Sequence, residues 1–257
     1  MLTTEQRAAA ADRLRRAEED RKPVEPLTAD HPGMDAADAY EIQLLNARRR
    51  PGPVVGHKVG LSSPAMQRMM GVDEPDYGHL LADMRLDEDR PVPVADYCWP
   101  RVEVEVAYLL GADLPGRGCT EDDVLAATEA VAPALELIDS RIADWRISLP
   151  DTIADNASSA GFALGPQRVD PKRLDLTAID VQLRSGERLE RGRSDAVLGD
   201  PTAAVAWLAR KVADFGVRLR AGHLVLPGSC TRAVDARRGD AFRAEFTDLG
   251  VVSLAFE

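Results

Sequence analysis

The chain is short of cysteine, of long apolar runs and of clustered basic residues, and each shortage closes off a class of function. Three cysteines, Cys98, Cys119 and Cys230, are scattered over 257 residues. They are odd in number and form no CxxC pair, which excludes a disulfide framework and a cysteine-built zinc site. They read as reduced structural thiols. No run of about 18 apolar residues occurs, so no membrane span is expected. Residues 1–22 are charged throughout and lack the apolar stretch of a secretory signal, which points to the cytoplasm. Lys and Arg number 32 against 43 Asp and Glu, a formal charge of −11. Nucleic-acid binding needs clustered cations to neutralise phosphates, and this balance argues against it. An anionic substrate would need a local positive site. There is no Walker lysine loop, no GxGxxG after a strand, no GxSxG elbow and no HExxH. Internal repeats and low-complexity tracts are also missing.

What is present is an ordinary globular mix, 45% hydrophobic and 29% charged, of a length suited to one large domain with an N-terminal appendage. Thr3 and Gln6 form a capping-box pattern ahead of a helix that Pro23 and Pro26 end. A second helix is expected from Ala36 to Arg49, capped by Asp35 and stopped by prolines 51 and 53. Residues 1–53 thus read as a helical part and 54–257 as a mixed β unit. Val54–Leu61 reads as a strand, Pro64–Met70 as a helical turn, and Gly71–Leu81 as a loop. Val102–Leu110 is the clearest strand. Thr120 and Asp123 start a helix to about Val131, and Leu135–Ile138 is a strand. Ala178–Arg184 and Arg188–Arg193 flank a hairpin turn at Ser185-Gly186. Asp200 caps a helix that begins at Pro201 and ends at Gly216. Leu224–Leu226, Ala241–Phe246 and Val251–Phe256 are strands. Helices and strands do not alternate regularly, so the expected class is α+β with a large mixed β core.

Glu103 and Glu105 lie in an otherwise apolar strand, and alternation puts both carboxylates on one face, away from Val102, Val104 and Val106. A solvated face would make them a polar edge. An enclosed face would require a cation, and a hard divalent ion suits carboxylate oxygens. Glu136, isolated in Ala134-Leu-Glu-Leu-Ile-Asp139, favours the second reading. Asp139 should face the other way and pair with Arg141. Lys58 sits among glycines and apolar residues, as either a snorkelling edge residue or a buried amine. His57 should point away from Lys58 and reads as a structural histidine. Asp76 and Tyr77 lie in the expected loop, where catalytic and purely local roles both remain open. Asp155 and Asn156 are equally ambiguous. Gly228-Ser-Cys-Thr-Arg232 is either a plain turn or a set of N–H donors for a carboxylate.

Taken together, several motifs resemble a known family. They are Gly56-His-Lys-Val-Gly-Leu-Ser62, Pro75-Asp-Tyr-Gly78, Pro100-Arg-Val-Glu-Val-Glu105, Pro133-Ala-Leu-Glu-Leu-Ile-Asp139, Ala154-Asp-Asn-Ala-Ser158 and Gly228-Ser-Cys-Thr-Arg232. In this order, over nearly the whole chain, they are similar to the 2-oxopent-4-enoate (2-hydroxypentadienoate) hydratases of the fumarylacetoacetate hydrolase superfamily. The resemblance implies a mixed β-roll with an N-terminal helical part, an Mg²⁺ or Mn²⁺ site and a homo-oligomer. By position, Glu103, Glu105 and Glu136 resemble the metal ligands, and Lys58 and Asp76 the active-site lysine and aspartate. Thr231, with Tyr77, Asn156 and Ser229, falls where substrate contacts are expected. The implied reaction is hydration of a 2-hydroxy-2,4-dienoate to a 4-hydroxy-2-oxo acid, in aromatic or steroid-ring catabolism. The related 4-oxalocrotonate decarboxylases share most of these motifs. Pro100-Arg101 and Gly228–Arg232 look more hydratase-like, and Arg232 would favour a second carboxylate on the substrate. Association with a downstream aldolase or a related decarboxylase is also implied. A non-catalytic partner subunit would be expected to have lost the acids that this chain keeps.

Overall fold

The computed structural model describes residues 1–257, apart from the side chains of Met69 and Met70. Three helices come first: α1 (Thr4–Asp20), α2 (Leu27–Asp30) and α3 (Ala36–Arg49). The Thr3/Gln6 box closes on α1, and Asp35 with Asp38 does the same for α3, each satisfying orphan N–H groups of a first turn. The first helix stops before its prolines, at Arg21, which takes a left-handed φ of 52°. Buried Asp38 ties the two helices together: it accepts from the Leu2 N–H and from Arg7 Nη2 at 2.7 Å.

The rest of the chain builds two sheets. The larger contains β1 (Val54–Gly60), β2 (Asp76–Leu81), β3 (Arg101–Leu110), β4 (Thr128–Ile138), β5 (Ser159–Leu164), β8 (Leu224–Leu226) and β9 (Val234–Asp235). Its order is β2-β1-β8-β3-β4-β5, with β9 also on β3; β1 and β8 run parallel and the other pairs antiparallel. The smaller sheet, β11-β10-β6-β7, contains β6 (Asp180–Ser185), β7 (Arg188–Arg193), β10 (Ala241–Phe246) and β11 (Gly250–Ala255). Between the strands lie α4 (Pro64–Met70), α5 (Glu121–Ala127), α6 (Leu149–Ala154) and α7 (Pro201–Ala213). No helix among the described residues is long and apolar enough to cross a membrane.

Three expectations need correction. Gly71–Leu81 is not all loop: Asp76–Leu81 is a fully buried strand paired with β1. Gly78 there is no chain breaker but a close-approach glycine, since a Cβ would stand 2.3 Å from the Asn156 carbonyl oxygen. The helix expected to Val131 stops at Ala127, where β-branched Thr128 opens β4 and its hydroxyl caps the Val124 carbonyl at 2.7 Å. β4 is accordingly far longer than Leu135–Ile138, and it contains Pro133. The Pro133 carbonyl accepts from Gly165, so its missing N–H faces the same side, just beyond the last pair of the β4–β5 ladder. Finally, Arg141 pairs with Asp155, while the Asp139 carboxylate is occupied by the N–H groups of Cys98 and Trp99.

The sheet faces separate as alternation requires. Val102, Val104 and Val106 enter the main core with Ala10, Leu14, Tyr40 and Ile42 from the N-terminal helices. On the other face Ala107 joins Ala132, Ala134, Phe162, Leu224 and Leu226 in a second apolar cluster. The parallel β1–β8 contact leaves no space at Gly56, where a Cβ would lie 2.1 Å from the Leu224 carbonyl oxygen. Gly56→Ala is therefore expected to cost about 1–3 kcal/mol or more, read as a lower melting temperature; an unchanged melt would contradict this packing.

Candidate metal centre

Glu103 and Glu136 face each other across β3 and β4, and Glu105 is two residues further along β3. Among the described residues, one carboxylate oxygen from each of the three lies within 4.8 Å of the others. Glu105 and Glu136 have no exposed surface, and Glu103 is partly exposed. Their partners are few. Gly228 donates its N–H to Glu105 Oε2 at 2.7 Å, and the Ser159 hydroxyl donates to Glu136 Oε1 at 2.8 Å. Glu105 Oε1 and Glu136 Oε2 have no hydrogen-bond partner among the described residues.

Among the described residues, the buried cation against this cluster is Lys58, 3% exposed, whose Nζ stands 3.5 Å from Glu136 Oε2 and donates to the Ala157 carbonyl at 3.1 Å. Burial alone would lower its pKa, but Glu136, Glu103, Asp76 and Glu105 together hold it above the usual lysine range. Asp76 enters from β2, opposite Gly60 of β1. A Cβ at Gly60 would lie 2.2 Å from Asp76 Oδ1 and 3.5 Å from Lys58 Nζ, so this glycine makes room for both groups. Both Asp76 oxygens are buried; Thr152 is close by but forms no well-aligned bond to them. Burial raises the Asp76 pKa, with Lys58 opposing.

Four buried or nearly buried acids thus face one ammonium. Burial is the largest cause that pushes Glu103 up to about 7 and Glu105 well above the ordinary range, with neighbouring carboxylates adding to it. The unpartnered oxygens, the all-carboxylate donor set and the surplus negative charge fit a hard divalent cation.

The other candidate residues are placed differently. Tyr77 points to the opposite face of β2 from Asp76, where its ring stacks on Tyr40 with centroids 4.5 Å apart. The amide of Asn156 is spent on the His79 backbone: Oδ1 accepts at 2.7 Å and Nδ2 donates at 3.0 Å. The Ser229 hydroxyl pins its loop to the Val104 N–H and carbonyl, at 3.2 and 3.4 Å. Thr231 donates to the Arg232 carbonyl, and exposed Arg232 reaches Glu190 at 3.4 Å. His57 faces away from Lys58, against His79 and Tyr77, and burial holds its pKa well below the usual value. The sequence offers no sign of Ser159 or the Ala157 carbonyl, whereas the 228–232 turn, open to reading as N–H donors for a carboxylate, does give its Gly228 N–H to Glu105. Ser159 opens a strand that was not anticipated, and a backbone carbonyl carries no residue-type signal.

Comparison with known proteins agrees with this geometry. Residues 68–256 match the fumarylacetoacetate (FAA) hydrolase C-terminal family. The chain belongs to the fumarylacetoacetate hydrolase family. It is 42% identical over 260 residues to a 2-keto-4-pentenoate hydratase of Paraburkholderia xenovorans (strain LB400), covering 100% of this chain and 97% of that one. It is also 42% identical to a 2-hydroxyhexa-2,4-dienoate hydratase of Comamonas testosteroni, covering 95% of each. Among solved structures, 4-oxalocrotonate decarboxylase from Pseudomonas putida G7, complexed with magnesium and adipate, superposes with a TM-score of 0.96. It is 35% identical and covers 100% of this chain and 99% of that one. The mixed sheets and flanking helices described above are therefore the fumarylacetoacetate hydrolase fold, as the motifs implied.

The raised carboxylates have a thermodynamic consequence. Glu103 and Glu105 bind protons more tightly folded than unfolded, so the metal-free protein loses stability as pH rises from about 4.5 through the folded values. A bound cation removes that penalty. The gain in melting temperature on adding Mg²⁺ is expected to be larger at pH 8 than at pH 6; an equal or smaller gain at pH 8 would contradict the assignment.

Proposed function

We propose that the protein is a divalent-metal-dependent hydro-lyase that adds water to a 2-hydroxy-2,4-dienoate, the enol form of a 2-oxo-4-enoate, giving a 4-hydroxy-2-oxo acid. The observation that carries this is the buried Glu103/Glu105/Glu136 group with Lys58 against it, in a chain 42% identical, end to end, to a 2-keto-4-pentenoate hydratase. The three glutamates would hold the ion, with Mg²⁺ or Mn²⁺ as the candidates. Bound there, the cation supplies a Lewis acid for the carboxylate and C2 oxygen of a 2-oxo acid.

The chain's own groups account for the rest. Lys58 stays protonated and would stabilise negative charge that develops on the substrate's enolate oxygen. Asp76, whose pKa burial raises against the opposing Lys58, lies beside Lys58 and the glutamates, where it would take up and pass on a proton. It would shuttle the proton lost from the C2 hydroxyl to C5, leaving a 2-oxo-3-enoate. Water then adds across C3 and C4, its oxygen bonding to C4 and a proton going to C3. The apolar wall of Ala107, Ala132, Ala134, Phe162 and Leu226 on the same face keeps the surroundings of these charges dry. We also propose a homo-oligomer, and association either with a downstream aldolase that would take the 4-hydroxy-2-oxo acid or with a related decarboxylase.

The likeness to a decarboxylase structure gives a second reading, hydrogen replacing CO₂ on a 4-oxalocrotonate. Purified protein with Mg²⁺ is expected to consume the dienoate's ultraviolet absorbance and yield the 4-hydroxy-2-oxo acid. Faster CO₂ release from 4-oxalocrotonate would favour the decarboxylase instead. Glu105→Gln should keep the far-ultraviolet circular dichroism and lose at least about 100-fold in metal-dependent turnover, since even outer-shell partners of metals carry 10–100-fold. Near-normal turnover would remove Glu105 from the site.

A further inference from the structure

Between α6 and β5 the backbone does something that side-chain sterics oppose. Asn156, Ala157 and Ser158 take successive φ values of 55°, 50° and 57°, and none is glycine. Left-handed backbone costs non-glycine residues on the order of 1 kcal/mol or more each, and persists only where neighbours over-determine it. Three restraints are already described or simple. The Asn156 amide brackets His79, the Asp139 N–H donates to the Ser158 carbonyl at 2.8 Å, and Lys58 donates to the Ala157 carbonyl.

The fourth restraint is Arg141, 5% exposed, beside Asp155, 2% exposed. The Arg141 backbone N–H donates to Asp155 Oδ2 at 2.9 Å, and its Nε to Oδ1 at 2.5 Å. Nη2 donates to the Asp155 carbonyl, and Nη1 to the carbonyls of Asp139 and Ser159, at 2.6 and 3.3 Å. One guanidinium therefore ties the residue before the strained turn to the residue after it. The turn in turn delivers two contacts to the reaction centre: the Ala157 carbonyl to Lys58, and the Ser159 hydroxyl to Glu136.

We propose that Arg141, locked by Asp155, is a positioning residue of the reaction: it holds the left-handed 156–158 turn so that Ala157 fixes Lys58 and Ser159 orients Glu136. The inference rests on the reading of Glu136 as a metal ligand given under Proposed function. A lysine at 141 would keep the charge but lose the planar fork that reaches the Asp139, Asp155 and Ser159 carbonyls. Hydrogen-bonded partners of ligating carboxylates typically carry 10–100-fold in metal affinity or activity.

The test uses full-length wild type, Arg141→Lys and Asp155→Asn, with Mn²⁺ titrated alone by calorimetry and hydration kinetics run separately. Arg141→Lys is expected to weaken Mn²⁺ by about tenfold and to lower kcat by about 10–100-fold, with KM moving much less. Asp155→Asn should shift both in the same direction, and it carries the test should Arg141→Lys fail to fold. A purely architectural ion pair would lower the melting temperature but leave Mn²⁺ affinity and kcat of the folded variants at wild-type values, and that result would overturn the proposal. Wild type that binds no Mn²⁺ would overturn the metal site itself, a result distinct from normal binding that neither variant disturbs.

Discussion

Enclosing Glu103, Glu105, Glu136 and Asp76 around a single ammonium is the constraint on which the rest of this structure depends. Carboxylates in a low-dielectric interior repel one another, and Lys58 can neutralise only one of them. The fold must supply the rigidity to hold them there, and protons or a cation must meet the remaining negative charge. The wide β3–β4 pairing provides the first, placing Glu103 directly opposite Glu136. Gly228 and Ser159 add one donor each, which fixes an oxygen on two of the three glutamates and leaves other oxygens free for a cation.

Small residues and strained backbone surround this group for a common reason. Gly60 clears space for Asp76 and Lys58, and Gly78 lets the Asn156 carbonyl approach β2. The same approach allows the 156–158 turn to reach Lys58. Left-handed residues, buried ions and close backbone contacts are each unfavourable alone. Their concentration at one end of the larger sheet marks where stability is given up for placement of charged groups.

Much of this was legible in the sequence wherever local chemistry decides structure. The capping residues at Thr3, Asp35, Thr120 and Asp200 mark helix starts that the structure keeps. Two-residue alternation puts Glu103 and Glu105 on one face, and isolation among apolar residues singles out Glu136. What was not legible depends on tertiary context. Asp76 and Tyr77 looked like loop residues because Gly71, Pro75 and Gly78 punctuate the segment, yet pairing with β1 makes it a strand and turns Tyr77 away from the acids. Asn156 belongs to a motif of this family, but its amide serves the His79 backbone, a partner 77 residues away. Arg141 was paired by proximity with Asp139, although the geometry gives it to Asp155. β5 is hard to read from sequence because Ser159, Ala160, Gly161 and Ala163 carry little strand propensity, leaving Phe162 as the one strong strand former among them.

The central claim is that three glutamate oxygens converge on one hard cation. Crystals grown with Mn²⁺ and measured at the manganese absorption edge test it directly. The account predicts one strong anomalous peak per chain, bounded by Glu103, Glu105 and Glu136 at roughly 2.0–2.2 Å. A peak elsewhere, or ordered Mn²⁺ with these carboxylates turned away from it, would contradict the account.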